Sequence, residues 1–127
     1  MSGIFGLFQR DGAPVDPADV EKMMAAMAWW GPDGRSHHIA GSLAFGQLLL
    51  HNSPQAHHEQ LPRQTASGLL LTAEARLDNR AALCHQLNIP HPDRDTITDS
   101  QLIEQAYAKW GEACPDHLIG DWSFAIW

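Results

Sequence analysis

Hydrophobic residues near the amino terminus first alternate with small residues and then recur at helical spacing. The run Gly3 to Phe8 combines apolar and glycine positions in a way that predicts a short strand. Asp16 followed by Pro17 supplies a helix N-cap and a proline at the first helical position, which predicts a helix to about Trp29. The turn-forming run Gly31 to Gly34 ends that helix.

The middle of the chain alternates strand patterns with polar connections. His37 to Ile39 and Leu43 to Leu50 are predicted to be strands joined by a tight turn, and the second is apolar enough to be buried on both faces. The segment His51 to Thr65 is rich in His, Gln and Pro without periodicity, which predicts a loop with no regular structure. The compact apolar run Leu69 to Ala73 predicts another strand.

The last third contains the clearest helix signal. Asp78 is predicted to cap a short helix, and Thr98 to Gln101 has the Thr-x-x-Gln form of a capping box. Apolar residues at helical spacing then predict an amphipathic helix to Trp110. Gly120 to Trp127 alternates as a strand, and because an unpaired apolar strand is an unusual terminus we expect more chain beyond it. This mixture of elements predicts an α+β domain.

Composition limits the class of protein and its partners. A chain of 127 residues with 44% hydrophobic and 18% charged residues has the size and composition of one folded domain. A net charge of -7 and scattered Lys and Arg residues argue against a nucleic-acid partner. Neither a signal peptide nor a membrane span is evident in the sequence, so we expect a cytoplasmic protein that does not bind a membrane.

Cysteine and histidine positions predict neither a disulfide framework nor a metal site. Cys84 and Cys114 are far apart and form no CxxC motif, so we interpret both as ordinary thiols. His37-His38 and His57-His58 are adjacent pairs, and neighbours on a strand point to opposite faces, which makes each pair a poor chelate. We therefore expect no metal and no cofactor in this domain.

Five short segments occur in an order that is typical of one family. They are Ser2–Gly6, Trp30–Gly34, Arg76–Arg80, Thr98–Asp99 and Gly120–Trp127. Each segment alone is weak, but together they resemble the class II glutamine amidotransferase domain of the asparagine synthetase family from near the first residue to the last. The resemblance implies the αββα sandwich of amino-terminal-nucleophile (Ntn) hydrolases, here truncated at its carboxy-terminal strand.

The resemblance also implies a catalytic position at Ser2. In the family, removal of the initiator methionine exposes a cysteine whose own α-amino group serves as the base. Serine occupies that position here. An adjacent amine can activate a hydroxyl, so Ser2 alone does not exclude hydrolysis, although a small structural residue after Met1 is the interpretation we favour.

The glutamine pocket implied by the resemblance is degenerate. Leu49 stands where the family has the arginine that pairs with the substrate carboxylate. Glu74-Ala75 replaces an Asn-Gly pair and puts a negative charge where negative charge would develop during acyl transfer. Asp99 does match the acidic residue that contacts the substrate α-amino group, but a role at the helix start explains it equally well.

Three functional hypotheses follow. The first is a glutaminase-inactive domain like those of β-lactam synthetases and lasso-peptide cyclases, acting as structural partner of a carboxy-terminal ATP-pyrophosphatase synthetase domain. That second domain, which would bind ATP and Mg²⁺, is absent from these 127 residues. The second is an active Ntn amidohydrolase or glutaminase that uses Ser2. The third is a module that binds a peptide or carrier through the loop His51 to Thr65.

Overall fold

The computed structural model describes residues 2–127 and arranges them as two antiparallel sheets with three α-helices. The strands are β1 (Gly3–Phe8), β2 (Gly34–Ala40), β3 (Leu43–Leu49), β4 (Arg63–Gln64), β5 (Leu70–Leu77) and β6 (Gly120–Ile126). The helices are α1 (Pro17–Ala26), α2 (Arg80–Gln86) and α3 (Asp99–Trp110). The first sheet has the order β1-β3-β2 and the second β4-β5-β6. The domain is α+β, in agreement with the sequence pattern.

Strand β3 is the centre of the first sheet and is buried on both faces, as its continuous apolar run predicts. Leu43 and Phe45 cluster with Leu70 of β5 and therefore face the second sheet. The alternate residues Ala44 and Leu48 belong to a separate cluster that includes residues of α1. The period of two along β3 thus places α1 on one side of the first sheet and the second sheet on the other.

The largest core lies between the second sheet and the carboxy-terminal helices. Leu71 and Leu77 of β5 share one buried cluster with Leu102 and Ile103 of α3. Each fully buried Leu or Ile of this kind contributes about 1.5–3 kcal/mol relative to the exposed side chain. The layers therefore run helix, sheet, sheet, helix, and β5 has α3 on one face and the first sheet on the other.

Local capping signals set both long helices. Asp16 accepts a hydrogen bond from the Ala18 N–H at 2.9 Å, and Pro17 is the first residue of α1. Thr98 and Gln101 form the predicted capping box of α3. Helix α1 ends earlier than predicted, because the chain tightens into a 3-10 helix at Ala28–Trp30. Within residues 2–127 no helix has the length and apolar character that crossing a membrane requires.

The prediction that Asp78 caps α2 is wrong. The N-cap residue is Asn79, and it makes no side-chain capping bond. The Asp78 carboxylate instead pairs with Arg76 at 3.2 Å. The Asn79 side chain donates to the His117 carbonyl at 2.9 Å and accepts from the Ile119 N–H at 3.1 Å. A long-range contact to the start of β6 therefore replaces the local cap.

The segment predicted as an irregular loop between residues 51 and 65 has structure of its own. It contains a 3-10 helix, Pro54–His58, and the short strand β4. Ala56 and Leu61 are buried, so the segment is packed against the domain. Strands β2 and β5 also extend beyond their predicted limits, since pairing with a neighbour orders polar residues that carry no strand pattern.

Candidate functional site

Several of the residues singled out in the sequence meet in a small cleft between the ends of β1 and β3 and the middle of β5. We call it the Ser2 cleft, and it is lined by Ser2, Gln47, Leu49, Leu50, Asn52, Ala56, Glu59, Ala73, Glu74 and Ala75. Its volume is about 20 Å³. One water molecule needs roughly 10–15 Å³ of such space, whereas small-molecule sites usually offer about 300–1,000 Å³. The cleft therefore has room for about one water molecule.

The Ser2 hydroxyl is fully engaged by main-chain groups. Its oxygen accepts a hydrogen bond from the Leu50 N–H at 3.0 Å, and its proton is directed to the Leu50 carbonyl oxygen at 3.2 Å. These bonds follow the β1 to β3 ladder, which begins at the Gly3 and Leu48 pair. The hydroxyl thus joins the first residue of the described chain to the end of β3, and its proton points to a carbonyl oxygen, which is a very weak base.

Glu74 lies on the face of β5 that is turned toward the first sheet. Burial raises the pKa of the Glu74 carboxyl above its ordinary value, the positive charge of the amino terminus and the main-chain N–H of Ser2 oppose this, and the charge of Asp121 adds to the increase. No Lys, Arg or His side chain within residues 2–127 forms an ion pair with Glu74. The cleft therefore contains a half-buried carboxylate without a cationic side-chain partner.

Ala75 follows Glu74 on the same strand and consequently points to the opposite face. Its side chain packs against the core cluster between β5 and the helices, so only its main chain lines the cleft. Glu74 and Ala75, which both differ from the residues that the resemblance implies, thus lie on opposite faces of β5. Glu74 alters the cleft, and Ala75 contributes to the helical core.

Leu49 lines the cleft together with Ser2, and it brings no charge there. It lines both the Ser2 cleft and an adjoining, more open cleft of about 460 Å³. The only charged side chains among the residues that line the Ser2 cleft are Glu59 and Glu74. Gln47 points across the sandwich and donates to the Ala73 carbonyl oxygen at 3.1 Å. The described lining of the Ser2 cleft thus offers two carboxylates and no cation.

Asp99 is not part of the Ser2 cleft. It is the first residue of α3, it is 7% exposed, and it accepts a hydrogen bond from the Leu77 N–H at 3.2 Å. The Arg80 guanidinium donates to its other oxygen and to the Ile97 carbonyl oxygen at 2.6 Å. These contacts tie the start of α3 to the end of β5 and to α2. The structure gives Asp99 a set of internal partners away from Ser2.

Glu59 is a cleft residue that the sequence pattern did not reveal. It follows the 3-10 helix Pro54–His58, lines the Ser2 cleft and accepts a hydrogen bond from the Ser100 hydroxyl in the first turn of α3. Its segment has no periodicity, so no local signal distinguishes this acid from others on the surface. Only the packing of the segment across the sheet ends shows where it lies.

The histidine and cysteine side chains do not form a metal centre in the described chain. Among residues 2–127 no three side chains of His, Cys, Asp or Glu are grouped closely enough to hold a metal ion. His51 and His57 stack with ring centroids 4.1 Å apart, and an Asp33 oxygen lies 3.7 Å from the His51 ring nitrogen. Cys84 and Cys114 are free and buried.

Comparison with protein families gives a match over the whole chain. A family model described as a glutamine amidotransferase domain matches residues 1–127, which is the whole chain. No curated protein matches the chain significantly. The family match covers all the segments on which the sequence resemblance depends, from the strand that follows Ser2 to the strand that ends before Trp127.

Proposed function

Because this chain belongs to the glutamine amidotransferase domain family, we propose that it is an Ntn-type domain of an asparagine-synthetase-like, ATP-dependent amide-forming enzyme, and that it does not hydrolyse glutamine. Its role in this proposal is to support the synthetase domain. The helix, sheet, sheet, helix order of layers agrees with the Ntn assignment.

The Ser2 cleft is the observation on which the loss of glutaminase activity depends. A bound glutamine would place its carboxylate against a cation, and the cleft lining offers only Glu59 and Glu74. The Ser2 cleft itself, at about 20 Å³, could hold only part of a glutamine, and the rest would lie in the adjoining cleft of about 460 Å³ that shares Gln47, Leu49 and Glu59 with it. During acyl transfer an oxyanion would form near Glu74, where a carboxylate raises the energy of the transition state.

The hydrogen bonds of Ser2, which stands at the position of the family nucleophile, support the same proposal. A serine nucleophile needs a base that accepts its proton, and the Ser2 proton is directed to the Leu50 carbonyl oxygen. Asp99, the expected partner of a substrate ammonium group, is held by Arg80 and the Leu77 N–H. Both residues that most resemble active-site groups thus have structural partners.

The synthetase reaction is proposed from the sequence resemblance to the asparagine synthetase family. A partner ATP-pyrophosphatase domain would bind ATP and Mg²⁺ and activate a carboxylate, and an internal amine would then close the amide without ammonia. The free, buried cysteines support a reducing compartment such as the cytoplasm. A peptide- or carrier-binding role for residues 51–65 has less support, because the segment is packed through Ala56 and Leu61.

Ammonia release from glutamine tests the proposal. The domain is prepared without Met1, with intact mass confirming the free Ser2 terminus, and compared with Ser2→Cys. We expect no release from either protein, because the thiol alone does not supply the missing cation and leaves Glu74 in place. A variant combining Ser2→Cys, Leu49→Arg and Glu74→Asn is expected to release ammonia, and the same variant without Leu49→Arg is its matched control.

The outcomes separate the hypotheses. Release by the wild-type domain would contradict the proposal, and its loss on acetylation of the α-amine would then identify Ser2 as a working nucleophile. Release by Ser2→Cys alone would mean that the pocket is intact and only the nucleophile has been lost.

A further inference from the structure

Both polar groups of Ser2 are directed at fixed partners, and these partners belong to different sheets. The hydroxyl bonds to the main chain of Leu50, directly after β3 in the first sheet. The Ser2 main chain lies near Glu74 of β5 in the second sheet, since both residues line the Ser2 cleft, and its N–H is one of the groups that lower the pKa of that carboxyl. Ser2 therefore bridges the two layers of the sandwich at the edge of the cleft.

Glu74 is an unusual residue for this position. Half-buried carboxylates are normally paired with a cation or with several donors, because burial alone disfavours the charged form. While Met1 is retained, the amino-terminal charge and the neutral Ser2 N–H lower the pKa of Glu74 less than burial raises it, and within residues 2–127 no cationic side chain pairs with it. Removal of Met1 would transfer the amino-terminal charge to the Ser2 nitrogen, in the cleft that Glu74 also lines.

We propose that Glu74 is the binding site for the α-ammonium group of Ser2 once Met1 has been removed. The nitrogen that donates one amide N–H then becomes a cation with three donors next to the same carboxylate. This inference rests on the proposed loss of glutaminase activity and deepens it. An amine held as ammonium has no lone pair for the Ser2 proton, so Glu74 removes the base as well as opposing the oxyanion.

Other charged groups around the cleft have partners of their own. Asp121 on β6 pairs with Arg76 at 3.0 Å, and Glu59 accepts a hydrogen bond from the Ser100 hydroxyl. The Asp121 side chain is 80% exposed, so water screens its charge. Glu74 is therefore the carboxylate with the strongest expected effect on the Ser2 amine, and Asp121 supplies a matched control.

Titration of the Ser2 α-amine tests the inference directly. The Met1-free protein is labelled with ¹³C at serine, and the Ser2 resonance is followed with pH in the wild type, Glu74→Gln and Asp121→Asn. We expect the midpoint to fall in Glu74→Gln and to stay close to wild type in Asp121→Asn. At pH 7 the amine of Glu74→Gln should be acylated about threefold faster or more. Equal midpoints in the wild type and Glu74→Gln would overturn the proposal.

Thermal stability gives a second measurement that does not depend on amine chemistry. Removal of Met1 should raise Tm in the wild type more than in Glu74→Gln, and this difference should shrink in high salt. An equal effect of Met1 removal in both proteins would also overturn the proposal. Neither measurement involves glutamine, so a wild-type domain that released ammonia would refute the proposed function while these results still reported on the ammonium site.

Discussion

Glu74 and Asp99 are both acidic residues, but the two carboxylates differ in their burial and in their bonding partners. Asp99 is buried against an arginine and a main-chain N–H. Glu74 is half-buried with one main-chain N–H and no cationic side chain from residues 2–127. Asp99, which the sequence resemblance places in the substrate site, contributes to the fold, whereas Glu74 lies at the cleft and adds its charge to that of Glu59.

The comparison teaches that agreement with a motif and participation in a site are separate properties. The Asp99 side chain lies between β5, α2 and α3, where the Arg80 guanidinium compensates its charge. The Glu74 side chain is used at the cleft, where its charge is costly. Removal of the two charges should therefore change the free energy of unfolding in opposite directions.

The largest expected effect is that of Asp99→Ala. It leaves the mostly buried Arg80 guanidinium and the Leu77 N–H without their partner, so we expect a loss of about 3 kcal/mol in the free energy of unfolding. Urea unfolding measures it. The control Asp19→Ala removes an exposed pair with Lys22 and should change stability by less than about 0.5 kcal/mol. A loss below 1 kcal/mol for Asp99→Ala would mean that this ion pair does not hold the layers.

A smaller loss is expected for Ser2→Ala. The substitution removes the two hydrogen bonds to the part-buried N–H and carbonyl oxygen of Leu50, which must then bond to water. We expect the free energy of unfolding to fall by about 1 kcal/mol. Urea unfolding of the Met1-retained protein measures it, with Ser67→Ala as the matched serine control. Because the Ser67 hydroxyl contacts only the nearby Thr65 side chain, the control should lose less. Equal losses would contradict a bridging role for Ser2.

The smallest expected effect has the opposite sign. In the Met1-retained protein, burial raises the pKa of folded Glu74 above its ordinary value of 4.5, so the folded state binds a proton more tightly than the unfolded state. Wild-type stability should therefore fall as pH rises from about 4.5 through the folded pKa. Glu74→Gln lacks this loss, so its Tm should match wild type near pH 4 and exceed it at pH 7. A lower Tm for Glu74→Gln than for wild type at pH 7 would contradict a Glu74 carboxylate without a cationic side-chain partner.

Local signals predicted the parts of the fold that depend on neighbouring residues. Strand β1 has its predicted bounds, and the capping box at Thr98 begins α3. The Asp78 prediction failed because Asn79 contacts the chain near residues 117–119, which are far away in sequence. The order in the segment between residues 51 and 65 was missed because it comes from packing on the sheet ends and lacks a repeating pattern.

The site could be predicted only in part for the same reason. Ser2, Leu49 and Glu74, which the family pattern groups and composition does not, line one cleft in the structure. The family pattern grouped Ala75 with Glu74, although alternation along β5 sends the two side chains to opposite faces. It did not reveal Glu59, because that residue reaches the cleft through tertiary packing alone.

Two buried hydrogen bonds across the sandwich determine how the domain can deform. Thr72 donates from β5 to the Gly46 carbonyl of β3 at 3.2 Å, and Gln47 donates back to the Ala73 carbonyl at 3.1 Å. Sliding one sheet over the other would break both bonds at once in a dry interior, so the sandwich is stiff against shear. The two sheets therefore keep a fixed spacing beside the Ser2 cleft, and any widening of that cleft would have to come from the segment that contributes Ala56 and Glu59 to its lining.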